Sequence, residues 1–352
     1  MGKLNYDTTS NDLQHAAVQY RRQLLPLVRI SAKDTLQYMT GRSGIRFREI
    51  LGTYNVSGAE LRPYKSGITA ADNNLNAETR ELNTYLGAHV NDFEPLSAVQ
   101  TVLDKATDKG TDLQKHPIMK LVLAGTMATL GEKLNDCIFS AQRNPNNTTT
   151  ADLFDGFDTI TAAEITGGGI ATSKGNYVKL TQEINNANAV DVMKSIMRSM
   201  HKALRRQSVY VFVSYDIYDM YCDAYQAEKG ALPYNNQYEQ VYVEGSNKKM
   251  ILVPVVSKSG SRYITISPKE NMYYGYDDSS EEYARLAVKE FKPFVLTLEA
   301  TMFFGVQFNS IDPRALMIAE LAEGDDGSYK APTPEPEPEE DDDQEGGGGQ
   351  QE

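Results

Sequence analysis

The stretch that decides the fold is Val209-Tyr210-Val211-Phe212-Val213-Ser214-Tyr215-Asp216, followed at a distance by Leu252-Val253-Pro254-Val255-Val256, Tyr263-Ile264-Thr265-Ile266 and Ser267-Pro268-Lys269-Glu270-Asn271-Met272-Tyr273-Tyr274-Gly275-Tyr276-Asp277. The run from Val209 to Ser214 is β-forming and predicts a strand, leading through Asp216 into a short helix. A turn-rich stretch and two paired strands follow, the second ending in Leu252 to Val256. Another strand passes through Tyr263 to Ile266, and long alternating strands close the block with Phe303-Phe304-Gly305-Val306-Gln307-Phe308. Strands and helices follow each other without a repeating βα unit, which predicts an α+β chain.

Working outward, the chain has 352 residues, enough for a substantial core and about two domains with extensions. Its net charge of −13 is unevenly placed. Residues 323–352 hold twelve acids against Lys330, a net of −11, which leaves only −2 for everything before them. Residues 1–66 carry ten bases and five acids, so the middle of the chain is at −7. The two ends therefore have separate electrostatic roles.

Residues 11–40 show helical spacing at Leu13, Ala17, Tyr20 and Leu24, interrupted at Pro26, and read as an N-terminal arm. Residues 41–92 are rich in Gly, Asn, Thr and Tyr with short alternating pieces such as Ile50 to Val56, and predict an extended β-hairpin reaching onto a neighbour. Pro117 opens the strongest helical pattern. Leu123, Met127, Leu130, Leu134, Ile138 and Ala141 recur at steps of three or four until Asn144-Pro145, predicting one helix over 117–143 laid on a sheet. A second helix, begun by Asn188, carries Val192, Ile196, Met200 and Leu204 and ends in Arg205-Arg206. The Pro-Glu repeats, acidic run and four glycines of the C-terminal tail predict disorder.

Chemistry is sought in five places. Gly125 to Lys133 has five residues between its glycines and a Glu where a phosphate loop needs Lys, and it lies inside a helical pattern. Gly167-Gly168-Gly169 lacks the strand-then-helix setting of a dinucleotide site and reads as a flexible loop. His15, His89, His116 and His201 are scattered without metal-ligand spacing, and Cys137 and Cys222 read as small buried residues of a reducing compartment. No Gly-x-Ser-x-Gly elbow supports a hydrolase triad. Asp152, Asp155 and Asp158 have the wrong spacing for a calcium loop and read as a solvated turn.

The sequence therefore predicts no catalytic residue, no cofactor-binding residue and no metal site. It also shows no membrane-length apolar run and no signal-peptide pattern at Met1 to Asp7. Arg21, Arg22, Arg29, Lys33, Arg42, Arg46 and Arg48, interleaved with Tyr20, Tyr38 and Phe47, have the composition of a nucleic-acid contact. The competing expectation, which we favour, is that these cations pair with acids of an adjacent subunit.

The order strand–Asp–helix at Val213 to Asp216, the Gly-to-Pro-Val strand from Gly245 to Pro254-Val255, and the Pro-x-x-Asn-x-x-x-Gly phrase from Pro268 to Gly275 resemble the second half of tailed-bacteriophage major capsid proteins. Encapsulins and herpesvirus capsid floor domains share that shell fold. The resemblance implies an N-terminal arm over 1–45 and an extended E-loop over 46–92. It implies a P-domain formed by 93–149 and 281–322, an A-domain over 150–280, and a disordered acidic tail over 323–352. It further implies a structural protein and not an enzyme, assembled in the host cytoplasm into pentamers and hexamers of an icosahedral virion capsid around double-stranded DNA held by non-specific contact. Portal, scaffold and decoration proteins are the other partners it implies, with no membrane. An encapsulin-like compartment is the alternative within the same fold, and a hydrolase with a dispersed triad is the more distant one.

Overall fold

The computed structural model describes residues 21–57, 61–66, 74–93, 118–230, 241–278, 280, 282–292 and 295–330. His15, His116, Tyr20, Pro117, the hairpin tip and the tail from 331 onward lie outside the described residues. In chain order, the first elements are helices α1 (21–31) and α2 (Lys33–Leu36), then strands β1 (Thr40–Ser43), β2 (Arg48–Ser57), β3 (Asn74–Asn83) and β4 (Tyr85–Phe93). Next come α3 (Ile118–Asn135), α4 (Phe157–Thr166), β5 (Tyr177–Lys179), α5 (Ala189–Ser199) and α6 (Lys202–Arg206). The last part holds β6 (Val209–Val213), α7 (Tyr215–Lys229), β7 (Met250–Pro254), β8 (Tyr263–Ser267), β9 (Met272–Asp277), β10 (Leu286–Lys292), β11 (Val295–Phe308) and β12 (Met317–Glu320).

The fold is α+β, with two five-stranded sheets and a separate two-stranded ribbon. One sheet runs β1-β9-β11-β10, with β4 paired along the other part of β11; the second runs β5-β12-β8-β6-β7; the ribbon is β2-β3. Strand β6 explains why its sequence is apolar throughout. Val209, Val211 and Val213 face the core built on α5 and α7, while Phe212 faces the core built on α1, α3, α4 and the first sheet. Ile318 of β12 and Val253 of β7 likewise face the second of these cores, and Met317, Ala319 and Leu252 the first. The second sheet is thus a wall shared by two cores, and a strand with apolar groups on both faces is what such a wall requires. Ser214 caps the helix that follows, accepting a hydrogen bond from Ile217 N at 3.2 Å, and Gly230 ends it at φ 67°. That helix is 15 residues long, so the short helix expected after Asp216 is a full-length one.

Several expectations are corrected. The helix predicted over 117–143 ends at Asn135; Ile138 and Ala141 remain buried through turns, where single bonds such as Ala141 N to Cys137 O at 2.8 Å replace the continuous helical ladder. The helix predicted from Asn188 to Arg206 breaks at Met200, where ψ is 148°, and His201 caps a new turn by accepting from Ala203 N. Asn185, three residues ahead of Asn188, contributes the cap, its Oδ1 accepting from Ala187 N and Asn188 N. Pro26 does not interrupt α1, which continues to residue 31. Burial of Leu24, Leu25 and Val28 on both sides of the proline offsets the one hydrogen bond it removes.

Chain order does not set sheet membership for two strands. β9 pairs with β1 and β11, and β12 pairs with β5 and β8 although it follows β11. Residues 323–330 are ordered, against the expectation of a disordered tail from 323. The buried Asp325 carboxylate accepts from Ile184 N at 3.0 Å and Gly327 N at 3.1 Å, and Tyr329 OH donates to Asp223.

Candidate functional site

The feature with no internal purpose is the ribbon. β2 and β3 pair in unbroken antiparallel register from Arg48↔Asn83 to Ser57↔Asn74. Ten residues at about 3.4 Å each make this an arm of roughly 34 Å. Only its root has a core, formed by Ile45, Leu51 and Leu82 with Tyr273 against them. On the opposite face of the root Ile50 is 63% exposed; further out Tyr54 is 75% exposed, and Tyr64 beyond the strand is 91% exposed. A two-stranded ribbon is marginal alone in water, and its apolar groups are stabilised only when another surface covers them.

The root, by contrast, is locked. Gly275 of β9 and Gly305 of β11 lie directly opposite each other in the sheet. A Cβ on Gly305 would meet Asn83 O at 2.1 Å, and one on Gly275 would meet Thr84 Cγ2 at 2.8 Å. The β3–β4 junction therefore crosses the sheet at a notch that only two facing glycines provide. Arg80 donates to Glu164 at 2.7 Å and to Gln307 at 3.2 Å, and Gln307 Nε2 donates to Glu81 O. On the other side Thr84 N donates to Phe47 O, and the Phe47 ring packs 5.1 Å from Phe303 with its backbone at φ 68°. A left-handed phenylalanine is strained by about 1 kcal/mol or more and is held there by the contacts around it.

The Pro268–Gly275 phrase gains a physical meaning from this geometry. Asn271 is buried between the two sheets; its Nδ2 donates to Ser267 Oγ, Ser310 O and Ala315 O, and its Oδ1 accepts from Ser310 N at 2.8 Å. One side chain thus ties the end of β8 to the loop after β11, and four residues later Gly275 supplies the notch for the ribbon root.

Four of the seven cations of the basic stretch pair within the chain. Arg29 pairs with Asp278 at 3.2 Å, Arg42 with Glu49, Arg46 with Asp277 at 2.7 Å, and Arg48 with Glu81. Arg29 and Arg42 also lie over the rings of Tyr276 and Tyr273. The expectation of partners on an adjacent subunit is corrected for these four, because the acids lie on β9, the ribbon and the loop beside them. Tyr38 is likewise no base-stacking platform; its ring packs 5.0 Å from Tyr210.

The remaining candidates separate cleanly. Asp152 folds back on Thr149, and Asp155 accepts from Arg143 N, but Asp158 is not solvated. It forms a buried ion pair with Lys258 at 2.5 Å and also accepts from Ser261 at 2.6 Å. Lys258 donates in addition to Tyr263 O and Thr265 Oγ1 and sits 4.5 Å over the Phe139 ring. Burial pushes the Asp158 carboxyl up and the Lys258 ammonium down, and their mutual attraction opposes both shifts. No spacing in the sequence pointed to this pair.

Burial raises Cys137 to about 12 and Cys222 to about 11, so neither is a thiolate nucleophile at neutral pH. Gly131 lies in α3, where a Cβ would meet Val28 O at 2.2 Å; it lets α1 pack closely and cradles no phosphate. Gly167–Gly169 end α4 with Gly168 at φ 72° and Ile170 N bonded to Glu164 O, an ordered helix terminus where a flexible loop was expected. His89 lies on β4 and His201 on α6, in separate places. Among the described residues no group of three or more His, Cys, Asp and Glu could hold a metal, and no helix is long and apolar enough to cross a membrane.

A ribbon rooted in a double-glycine notch, a helix laid on one sheet, and a second sheet walled between two cores are the features by which the chain can be compared with solved structures. No protein-family model matches the chain, and no curated protein matches it in sequence. In solved structures it is similar to a chain of the cyanophage A-1(L) capsid asymmetric unit at 12% identity, covering 85% of this chain and 93% of that one with a TM-score of 0.53. It is similar to the capsid of the native GTA particle at 12% identity, 83% and 91% coverage and a TM-score of 0.52. The satellite phage P4 procapsid that includes the size determination (Sid) protein matches at 12% identity, 85% and 91% coverage and a TM-score of 0.50. The fold implied by the sequence motifs is therefore the fold observed.

Proposed function

We propose that this chain is a major capsid protein that assembles through many copies of itself into pentamers and hexamers of an icosahedral shell enclosing double-stranded DNA. The observation that carries this reading is the ribbon, which is fixed at its root by Gly275, Gly305 and Arg80 and bare of cover at Ile50 and Tyr54. A rigid root with unsatisfied apolar groups on the arm is the design of a self-assembling subunit, because the free energy of covering the arm is released only on contact with a neighbour. The similarity to capsid chains over most of the length supports the same reading. On it, the protein acts as a building element without catalysis, and its location is the virion capsid, assembled in the host cytoplasm. On this reading portal and scaffold proteins are its further partners, and DNA is held by non-specific contact with the backbone phosphates.

The test is assembly itself. Purified protein examined by light scattering and electron microscopy forms capsomers or shells, whereas Ile50→Asp with Tyr54→Asp gives a folded chain that stays small. A parent protein that remains a well-behaved monomer of about 39 kDa at every concentration overturns the reading.

A further inference from the structure

Arg29, Arg42, Arg46 and Arg48 pair within the chain, but one basic surface on the other core does not. Arg198 at the end of α5, Lys202, Arg205 and Arg206 on α6, and Lys248 are all exposed. Among the described residues none of the five has an acid within ion-pair distance. The three segments that carry them are held together. Lys249 Nζ donates to Arg206 O at 2.7 Å, Val209 N donates to Lys249 O at 2.8 Å, and Gly245 packs on Met197. Asn247 and Lys248 occupy left-handed backbone at φ 53° and 60°, a tight turn immediately before Lys249. Between these segments lies a cavity of about 260 Å³ lined by Arg205, Arg206, Ser246 and Lys249, and the buried Ser246 hydroxyl has no hydrogen-bond partner. The nearest acid in sequence, Glu244, is already taken by Lys194 at 2.6 Å and Lys229 at 3.5 Å. In a chain of net charge −13 this is a cationic surface with no acid paired to it among the described residues.

We propose that its occupant is the chain's own acidic segment, residues 331–352, from the same or a neighbouring copy. That segment carries nine acids and no base. Its point of departure lies on the same core: Lys330 donates to Glu183 at 2.7 Å, and the Glu183 carbonyl accepts from Asn188 at the start of α5. The basic surface begins at the other end of that helix, about 16 Å away for its 11 residues. Twenty-two residues can span roughly 70 Å, so the carboxylates reach it with chain to spare. Docked there, the tail neutralises the surface and withholds it from nucleic acid.

A water-soluble carbodiimide, which joins carboxylates to amines in contact, tests this on dissociated subunits, so its outcome is independent of whether shells form. Mass spectrometry is expected to find 331–352 joined to Lys202, Lys248 and Lys249, and not to the equally available Lys33, Lys65 and Lys174. The links are lost in about 1 M salt, where screening acts within about 3 Å, and in the variant R205E/R206E/K248E. Mixing isotope-labelled and unlabelled chains separates docking within a copy from docking between copies. Truncation after Lys330 is expected to raise affinity for a short DNA duplex about tenfold, as unmasked cations release counterions. Links spread evenly over all exposed lysines, or a duplex bound equally by full and truncated chains, overturn the proposal; the second result would make DNA the surface's own partner.

Discussion

Replacing Lys258 with Met isolates the contribution of the buried ion pair, because Met keeps the aliphatic stem and removes only the ammonium. Three acceptors then lose their donor: the Asp158 carboxylate, the Tyr263 carbonyl and the Thr265 hydroxyl. Ser261 still donates to Asp158, so the carboxylate keeps one of its two strong partners. Removing one member of a buried pair costs about 3–5 kcal/mol, most of it from the charge left behind. At about 2–4 °C per kcal/mol for a large domain, the melting temperature falls by roughly 6–20 °C. The loss also depends on pH with a definite sign. Without its cation, Asp158 has a folded-state pKa raised above the unfolded value of about 3.9, so the folded state binds the extra proton between the two values. The variant's stability therefore falls as pH rises through the folded pKa, and its deficit against the parent is smaller at pH 5 than at pH 8. Asp158→Asn combined with Lys258→Met removes the stranded charge and recovers a large part of the loss. Chemical denaturation of parent, single and double variants at both pH values reads all of this. A single variant within about 1 kcal/mol of the parent, or a deficit that does not change with pH, would show that the pair does not carry the weight assigned to it.

Gly305→Val places a side chain where Asn83 O already lies at 2.1 Å, so the ribbon root must shift; assembly is lost while thermal unfolding of the body changes by only a few degrees, read by calorimetry and electron microscopy. Truncation after Lys330 leaves melting nearly unchanged, whereas truncation after Ala322 lowers it by the equivalent of about 1–3 kcal/mol, because Asp325 no longer satisfies the buried Ile184 N. If both truncations melt alike, residues 323–330 are not part of the folded body.

Local order along the chain was largely legible. The β-forming run Val209–Val213 meant a strand, the Leu and Met stripe of α3 meant a helix on a core, and the polar β-rich stretch from 46 meant an extended ribbon, each a property of contiguous residues; that the strand is buried on both faces came only with the two cores. The capsid-like motifs were legible as words, but their reasons were not. Asn271 is a clip to Ser310 and Ala315, and Gly275 is a notch for Thr84, partners far apart in sequence.

Tertiary structure alone decided which sheet takes β9 and β12, and that the arginines at 29, 42, 46 and 48 pair within the chain. It also decided that Asp158 meets Lys258 a hundred residues away, while Asp152 and Asp155 beside it stay at the surface. Periodicity fixes which face of an element is apolar, since that follows from backbone geometry at each residue. Which charged group a buried cation meets, or which strand completes a sheet, is a choice among distant segments made by the free energy of the whole packing, and no local pattern encodes it.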